Sequence, residues 1–408
     1  MKLSKVIVAL TGVAVLTASL VGCGRDSTTA ATTSSVPSSA VAPPATSSSS
    51  STAGSVAPVS SASVGRSSVP ASSASASSPS SSAGPSAGGS PLVGVDQPRS
   101  DSDFWSAYAK FVPQMATTVG VTLQNTASDN DANKLKSNVD TLIAKGVKSL
   151  VIAPQDTAAV APALAAAAKA NIPVVSVDTR PDAGKVYMVV RADNRAYGTN
   201  ACIFLGEKLG NKGTVVEFQG ALASINGRDR SEAFASCMKE KYAGIKVIAI
   251  PTEWSGDKAA SGLQDALVKE GTINGIYMQA GGVFLEPTLA LLKRENKLVP
   301  AGQPGHVTIV SNDGIASELK AIGNGEIDAT VSQPADSYAK WALFYAKAAV
   351  EGKTLAPGRT DHDSTIISTP NGLLEDQLPA PVVTKDGAAV GSLTTVKFDS
   401  KDLWGNGS

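Results

Sequence analysis

From residue 91 to the C-terminus the chain alternates short β-rich runs with Ala/Leu/Lys-rich segments of helical spacing. The β-rich runs are Leu92–Val95, Lys148–Ala153, Ile172–Val177, Val186–Arg191, Thr214–Phe218, Lys246–Ile250, Gly275–Met278, Val307–Ser311 and Ala329–Ser332. Between them lie segments such as Ala132–Lys145, Ala158–Ala170, Arg228–Tyr242, Lys258–Lys269 and Ser337–Val350. Strands separated by amphipathic helices form βαβ units, with parallel sheets covered on both faces. Glycines follow several helical segments, as at Lys145-Gly146 and Leu209-Gly210, where a helix C-terminus favours them. About nine strands exceed one comfortable Rossmann sheet. The expected fold class is therefore α/β, with two Rossmann-like lobes.

The segment before residue 91 has a different character. Lys2 and Lys5 head an apolar stretch over residues 6–20, too short for a comfortable membrane span. Leu20-Val21-Gly22-Cys23 then closes it. This order reads as a secretory signal peptide over 1–22. Its ending resembles a bacterial lipobox. That resemblance implies cleavage before Cys23, acylation of Cys23 and a lipid anchor on the outer face of the cell membrane. Residues 23–90 carry the lipidated cysteine and a run of Ser, Ala, Thr, Pro, Gly and Val with no aromatic residue. Such a composition cannot bury enough apolar surface to offset its ordering entropy, so a disordered tether is expected. Fully extended it spans at most about 220 Å; as a flexible coil it averages on the order of 45 Å. A glycosylated stalk has the same composition, and the sequence leaves both open.

Charge excludes some functions. The chain carries 35 basic and 35 acidic residues, with no basic cluster, which argues against nucleic acid as a partner. There are three cysteines. With Cys23 assigned to lipid, Cys202 and Cys237 remain as a pair on two consecutive predicted helices, in an oxidising compartment. A disulfide is expected there, with two buried thiols as the alternative. The only histidines, His306 and His362, have no nucleophile motif around them, and no Cys/His cluster has metal-ligand spacing. The expectation is a protein that is not an enzyme, with no metal and no cofactor.

In open α/β sheets, ligands bind outside the carboxyl ends of the strands. The residues found there are Asp96, Asp101, Ser102 and Phe104-Trp105, then Gln155-Asp156 and Asp178-Thr179-Arg180. Gln219-Gly220, Glu253-Trp254, Gln279, Asn312-Asp313 and Gln333 follow. Amides and carboxylates exchange hydrogen bonds with hydroxyls, and flat aromatics stack on the C–H face of a sugar or polyol. Asp and Asn at such positions also cap helices, but Trp and Gln do not.

These residues resemble those of the type I periplasmic sugar-binding proteins, close to the ribose-binding branch. The likeness runs from residue 92 to about 370. It rests on Ile152-Ala153-Pro154-Gln155-Asp156, Ile172-Pro173-Val174-Val175-Ser176-Val177-Asp178, Asp193-Asn194, Glu217-Phe218-Gln219-Gly220 with Arg228-Asp229-Arg230, Asn312-Asp313-Gly314 and Ala329-Thr330-Val331-Ser332-Gln333-Pro334. The opening Pro98-Arg99-Ser100-Asp101-Ser102-Asp103-Phe104-Trp105 looks like the variant in sugar- and polyol-binding relatives.

The resemblance implies a ligand set. Phe104 and Trp105 stack on the ligand from the first lobe and Trp254 from the second. Asp178 accepts from hydroxyls, Arg228 donates to sugar oxygens, and Asp313 and Gln333 contribute from the hinge side. Asp101 or Ser102 replaces an asparagine, and Gln155 completes the first lobe's polar set. Two positions depart from the ribose-binding pattern. Thr179 stands where that branch has arginine, and Ala280 or Gly281 where it has asparagine, with Gln279 nearby. These departures point away from ribose towards another pentose or hexose, or a linear polyol.

The family also implies a three-segment hinge, with crossings near Ala192-Asp193, Gln333-Pro334 and Asp363-Ser364. Lobe 1 then comprises 91–192 plus 334–363, and lobe 2 comprises 193–333 plus 364–408, with the apolar residues of the tail on lobe 2. Function follows as capture of a monosaccharide or sugar alcohol by hinge closure, then delivery to a membrane permease of an ABC importer with a separate ATPase. The binding protein itself is expected to be a monomer. A lipoprotein presenting ligand to a chemoreceptor or histidine kinase uses the same cleft chemistry, and the sequence leaves that alternative open.

Overall fold

The computed structural model describes residues 89–407. The expected signal peptide, the expected lipidation site Cys23 and all but the last two residues of the expected tether lie outside the described residues. Among the described residues, the strands in chain order are β1 (Leu92–Gln97), β2 (Thr122–Ala127), β3 (Ser149–Ile152), β4 (Val174–Val177), β5 (Met188–Ala192), β6 (Gly213–Gln219), β7 (Ile245–Pro251), β8 (Gly275–Met278), β9 (Thr308–Asn312), β10 (Ala329–Val331), β11 (Gly358–Arg359), β12 (Thr365–Ser368), β13 (Leu374–Leu378), β14 (Val382–Thr384) and β15 (Thr395–Lys397). The helices are α1 (Asp103–Val119), α2 (Ala132–Ala144), α3 (Ala161–Lys169), α4 (Asn194–Leu209), α5 (Ile225–Lys241), α6 (Gly256–Glu270), α7 (Gly281–Arg294), α8 (Ala316–Asn324) and α9 (Ala335–Val350).

They build two lobes. The first sheet has the order β11-β12-β13-β5-β4-β3-β1-β2 and the second β15-β14-β10-β9-β8-β6-β7. Strands β1 to β5 pair in parallel, as do β6 to β10. Among the described strands, antiparallel pairing is confined to β11–β12, β12–β13 and β10–β14, with one isolated antiparallel bridge at Val390–Leu393. The central strands β3, β4 and β5 are buried along their whole length. That is why they read as continuous apolar runs rather than alternating ones. Strand β2 escaped the sequence reading because Thr122-Leu123-Gln124-Asn125-Thr126-Ala127 is a polar edge strand with no buried residue.

Helices cover both faces of each sheet. In lobe 1, Leu135, Val139 and Leu142 of α2 and Leu164 of α3 pack with Leu150 and Ile152 of β3. Complete burial of one such side chain contributes about 1.5–3 kcal/mol. On the opposite face α1 and α9 meet. In lobe 2, α4 and α5 lie side by side and are joined by the Cys202–Cys237 disulfide. The other face carries α6, α7 and α8, with Leu263, Phe284 and Leu319 in its core.

Two of the expected crossings coincide with the change of sheet, after Ala192 and between Val331 and Ala335. The third does not fall at Asp363-Ser364. The chain stays in the first sheet through β12 and β13, which form a hairpin around Thr369-Pro370-Asn371-Gly372, and crosses at Pro379-Ala380-Pro381. Lobe 1 therefore keeps residues 364–378. Two short strands around a Pro-Asn-Gly turn carry a local hairpin signal, which accounts for the difference.

The disulfide closes a loop with a sequence separation of 35. Loop entropy for that length predicts that replacing both Cys202 and Cys237 by serine lowers the unfolding free energy by about 4 kcal/mol with the native fold retained. Urea denaturation followed by circular dichroism measures this. An unchanged midpoint together with two free thiols in the unfolded wild type would contradict the bridge.

Candidate functional site

The carboxyl ends of the parallel strands in both sheets face one cavity. Lobe 1 supplies Arg99, Ser102, Phe104 and Trp105 around the start of α1, with Gln155 after β3 and Asp178 after β4. Lobe 2 supplies Ser224, Asn226 and Arg230 from the start of α5, Trp254 after β7, and Ala280 and Val283 at the start of α7. Asp313 and Gln333 follow β9 and β10.

The aromatic residues are held by one another. Phe104 and Trp105 meet edge to face at 5.3 Å, and Trp105 meets Tyr108 at 5.4 Å. Trp254 stacks on Phe284, 6.4 Å away with an interplanar angle of 17°. Ser102 precedes α1 but makes no capping hydrogen bond, which leaves its hydroxyl to the cavity.

Arg230 is the central cation. It is buried, and its Nε donates to Asn194 Oδ1 at 2.6 Å and one Nη to Gln333 Oε1 at 2.7 Å. The other Nη donates to the Gln279 carbonyl. Its guanidinium lies 5.0 Å from the Tyr197 ring centre and 5.8 Å from that of Trp254. Behind it, the Gln279 side chain donates to Glu217 at 2.9 Å and Ser231 at 2.8 Å, and accepts from the Gly220 N–H at 2.9 Å. Gln279 therefore supports Arg230 from outside the cavity.

Two other expected ligand residues also lie outside it. Asp101 is exposed and accepts from Arg99 at 2.5 and 2.8 Å, orienting that arginine into the cavity and towards the Trp254 carbonyl, 3.3 Å away. Arg228 sits on the rim. Its guanidinium donates to Asp182 at 2.5 Å and Thr157 at 3.1 Å, both of lobe 1, and to the carbonyls of Leu222 and Ala223. The reason is helical geometry. Asn226 and Arg230 are four apart on α5 and share a face, whereas Arg228 lies two residues from each and points elsewhere. That spacing after Ser224, which caps α5 through the Asn226 N–H, is the signal that distinguishes the two arginines. Arg99, Ser224, Asn226 and Arg230 line the cavity but are not among the expected ligand residues.

The two lobes touch across the mouth. Besides Arg228–Asp182 and Arg99–Trp254, the Thr157 N–H donates to the Ala223 carbonyl at 3.1 Å. Gly282 comes so near lobe 1 that a Cβ there would lie 2.9 Å from Ser102 Oγ. At the hinge, Arg191 of β5 is fully buried and reaches Asn226 at 2.7 Å and Asp229 at 3.2 Å on α5.

Several buried carboxyls are pushed up. Burial raises Asp178 to about 6, against the pull of Arg230, Arg191 and a hydrogen bond with Asn226. Burial raises Asp313 as well, with Arg230 and the Gly282 N–H opposing and the Asp178 charge adding. Glu217 rises to about 8, mainly through burial. Asp178 Oδ1, Gln155 Nε2 and Trp254 Nε1 are buried without a partner in the protein. The site thus offers aromatic faces, an open carboxylate oxygen and open N–H donors. His306 and His362 lie elsewhere, paired with Asp328 and Asp376. Among the described residues no cluster of His, Cys, Asp and Glu has the make-up of a metal site.

A family profile described as the periplasmic binding protein domain matches residues 93–354. The ribose import binding protein RbsB of Haemophilus influenzae is 26% identical over 253 residues, 62% of this chain and 83% of that protein. A xylitol-binding protein of Mycolicibacterium smegmatis is 28% identical over 229 residues, 56% of this chain and 63% of that protein. The structure of an ABC transporter solute binding protein from Mycobacterium smegmatis with bound glycerol superposes with a TM-score of 0.64 at 25% identity, covering 76% of this chain and 99% of that one.

Asp178 has an ordinary value of 3.8 and a folded value of about 6. Between those values the folded chain holds a proton that the unfolded chain has released. Stability from this group is therefore complete below about pH 4 and is lost as pH rises through 6. Asp178→Asn should raise the unfolding free energy by about 3 kcal/mol at pH 7.5 and leave it unchanged near pH 3.5. Thermal denaturation at the two pH values checks this; an equal effect at both would refute the assignment.

Proposed function

The chain belongs to the periplasmic binding protein domain family, and from that premise we propose that it captures a monosaccharide or sugar alcohol and delivers it to an ABC-type importer. It is a binding protein rather than an enzyme. The observation that carries the choice of ligand is the set of unpartnered buried atoms in one aromatic-walled cavity. Asp178 Oδ1 accepts, whereas Gln155 Nε2 and Trp254 Nε1 donate. A hydroxyl group is donor and acceptor at once, so a chain of hydroxyls meets both needs. Phe104, Trp105 and Trp254 offer faces to the C–H side of the same molecule.

Arg230 takes the sugar-oxygen donor role first given to Arg228. Asp313 and Gln333 hold it from the hinge side, and Ser102 and Arg99 contribute from lobe 1. Capture proceeds by hinge rotation. Ligand meets one lobe first, and closure brings the other lobe's groups onto it. The closed arrangement gains the rim contacts of Arg228 with Asp182 and Thr157, so Arg228 acts on closure and not on the ligand. Micromolar affinity requires about −8 kcal/mol. A few charge-assisted hydrogen bonds at about 1.5–3 kcal/mol each, with aromatic contacts, reach that after desolvation and closure costs.

The remaining parts follow from the sequence. Cys23 carries the lipid, residues 24–90 form the tether, and the binding protein works as a monomer outside the membrane. Its closed form docks on a permease whose ATPase is a separate subunit.

A thermal-shift screen against pentoses, hexoses and sugar alcohols tests the reading, since a ligand that binds only the folded state raises the midpoint. Trp254→Ala should weaken the binding found there by about thirtyfold, measured by calorimetry. Response to amino acids with none to sugars or polyols would overturn the proposal.

A further inference from the structure

The apolar residues of the C-terminal tail are expected on lobe 2; Leu403 packs there, but Trp404 reaches lobe 1 as well. After β15 the chain runs to a single turn at Trp404–Asn406. Leu403 is buried in the core of lobe 2 beside α8. Gly405 lies against the backbone of Gly314, where a Cβ would sit 2.2 Å from the carbonyl oxygen, so no larger residue fits. Gly314 follows Asp313, a cavity residue. Trp404, between these two anchors, turns the other way. Its ring meets Phe104 edge to face at 6.1 Å and Phe111 at 6.2 Å, both on α1 of lobe 1. Phe104 lines the cavity.

We propose that Trp404 is a positioning residue for Phe104 and a clasp between the lobes, so that the tail sets the affinity of the cleft. The inference rests on the ligand-binding reading given above. Trp404 is anchored on both sides to lobe 2 and buried against lobe 1. Rotation of the lobes apart carries α1 away from α8 and breaks the ring contacts. Those contacts therefore favour the closed arrangement. They also brace the Phe104 ring, whose other edge-to-face neighbours are Trp105 and Tyr338. The indole N–H has no partner, so ring packing holds the residue and a phenylalanine can replace much of it.

The test uses the full chain and two readouts. Small-angle scattering of the ligand-free protein should give a larger radius of gyration for Trp404→Ala than for wild type, with Trp404→Phe close to wild type. Calorimetry with xylitol and with D-ribose should give a Kd about tenfold higher for Trp404→Ala. Phe111→Ala, which removes the second ring contact without touching the cavity, should shift both readouts in the same direction by less. It also decides the matter if Trp404→Ala does not fold. An unchanged radius of gyration in these variants would overturn the clasp. An unchanged Kd with only a lower melting temperature would make Trp404 a structural plug and overturn its positioning role. Failure of the wild type to bind either probe or any sugar counts against the ligand reading, while the scattering comparison still judges the clasp.

Discussion

Arg230 carries a permanent charge into the interior of lobe 2, and a buried guanidinium must find acceptors in fixed directions. Asn194, Gln333 and the Gln279 carbonyl provide them. Those three groups come from the start of α4 and the ends of β10 and β8, so one side chain fixes the relative positions of elements far apart in sequence. Tyr197 and Trp254 lie against the same cation, which ties an aromatic wall of the cavity to it. Gln279 is in turn held by Glu217, Ser231 and the Gly220 N–H. The cavity is shaped by the need to satisfy this charge.

The carboxylates answer the same constraint. Asp178 and Asp313 are buried, and their desolvation is only partly offset by Arg230 and, for Asp178, by Arg191. Such an arrangement costs folding stability and keeps polar atoms open at the site of capture. Trade-offs of this kind concentrate at functional sites. The glutamates behind them, Glu217 and Glu318, are hydrogen-bonded within the protein and serve the scaffold.

The two-lobed α/β fold was legible because buried parallel strands leave apolar runs and their helices leave a 3.6-residue period. Strand β2 left neither signature because it is a polar edge strand, and β12 and β13 left neither because they are short, mixed-polarity strands joined by a turn rather than a helix. Within the site, the strand-end rule led to Ser102, Phe104, Trp105, Gln155, Asp178, Trp254, Asp313 and Gln333, all of which line the cavity. It could not separate Arg228 from Arg230, because that distinction depends on the phase of α5. Nor could it tell Asp101 and Gln279, which orient their neighbours, from residues that face the cavity. Trp404 lay beyond its reach, for a tail carries no periodicity that says which lobe it will touch.

Two of the three crossings between the lobes contain proline. Pro334 lies in one, and Pro379 and Pro381 flank Ala380 in another. Each proline ring fixes one backbone torsion, so these segments retain few ways to bend. A hinge so restricted explores a narrow set of lobe orientations when open. Less disorder is then lost when the cleft shuts, and more of the contact energy is left to hold the solute. Stiffness in the connecting segments thereby becomes part of the machinery of recognition.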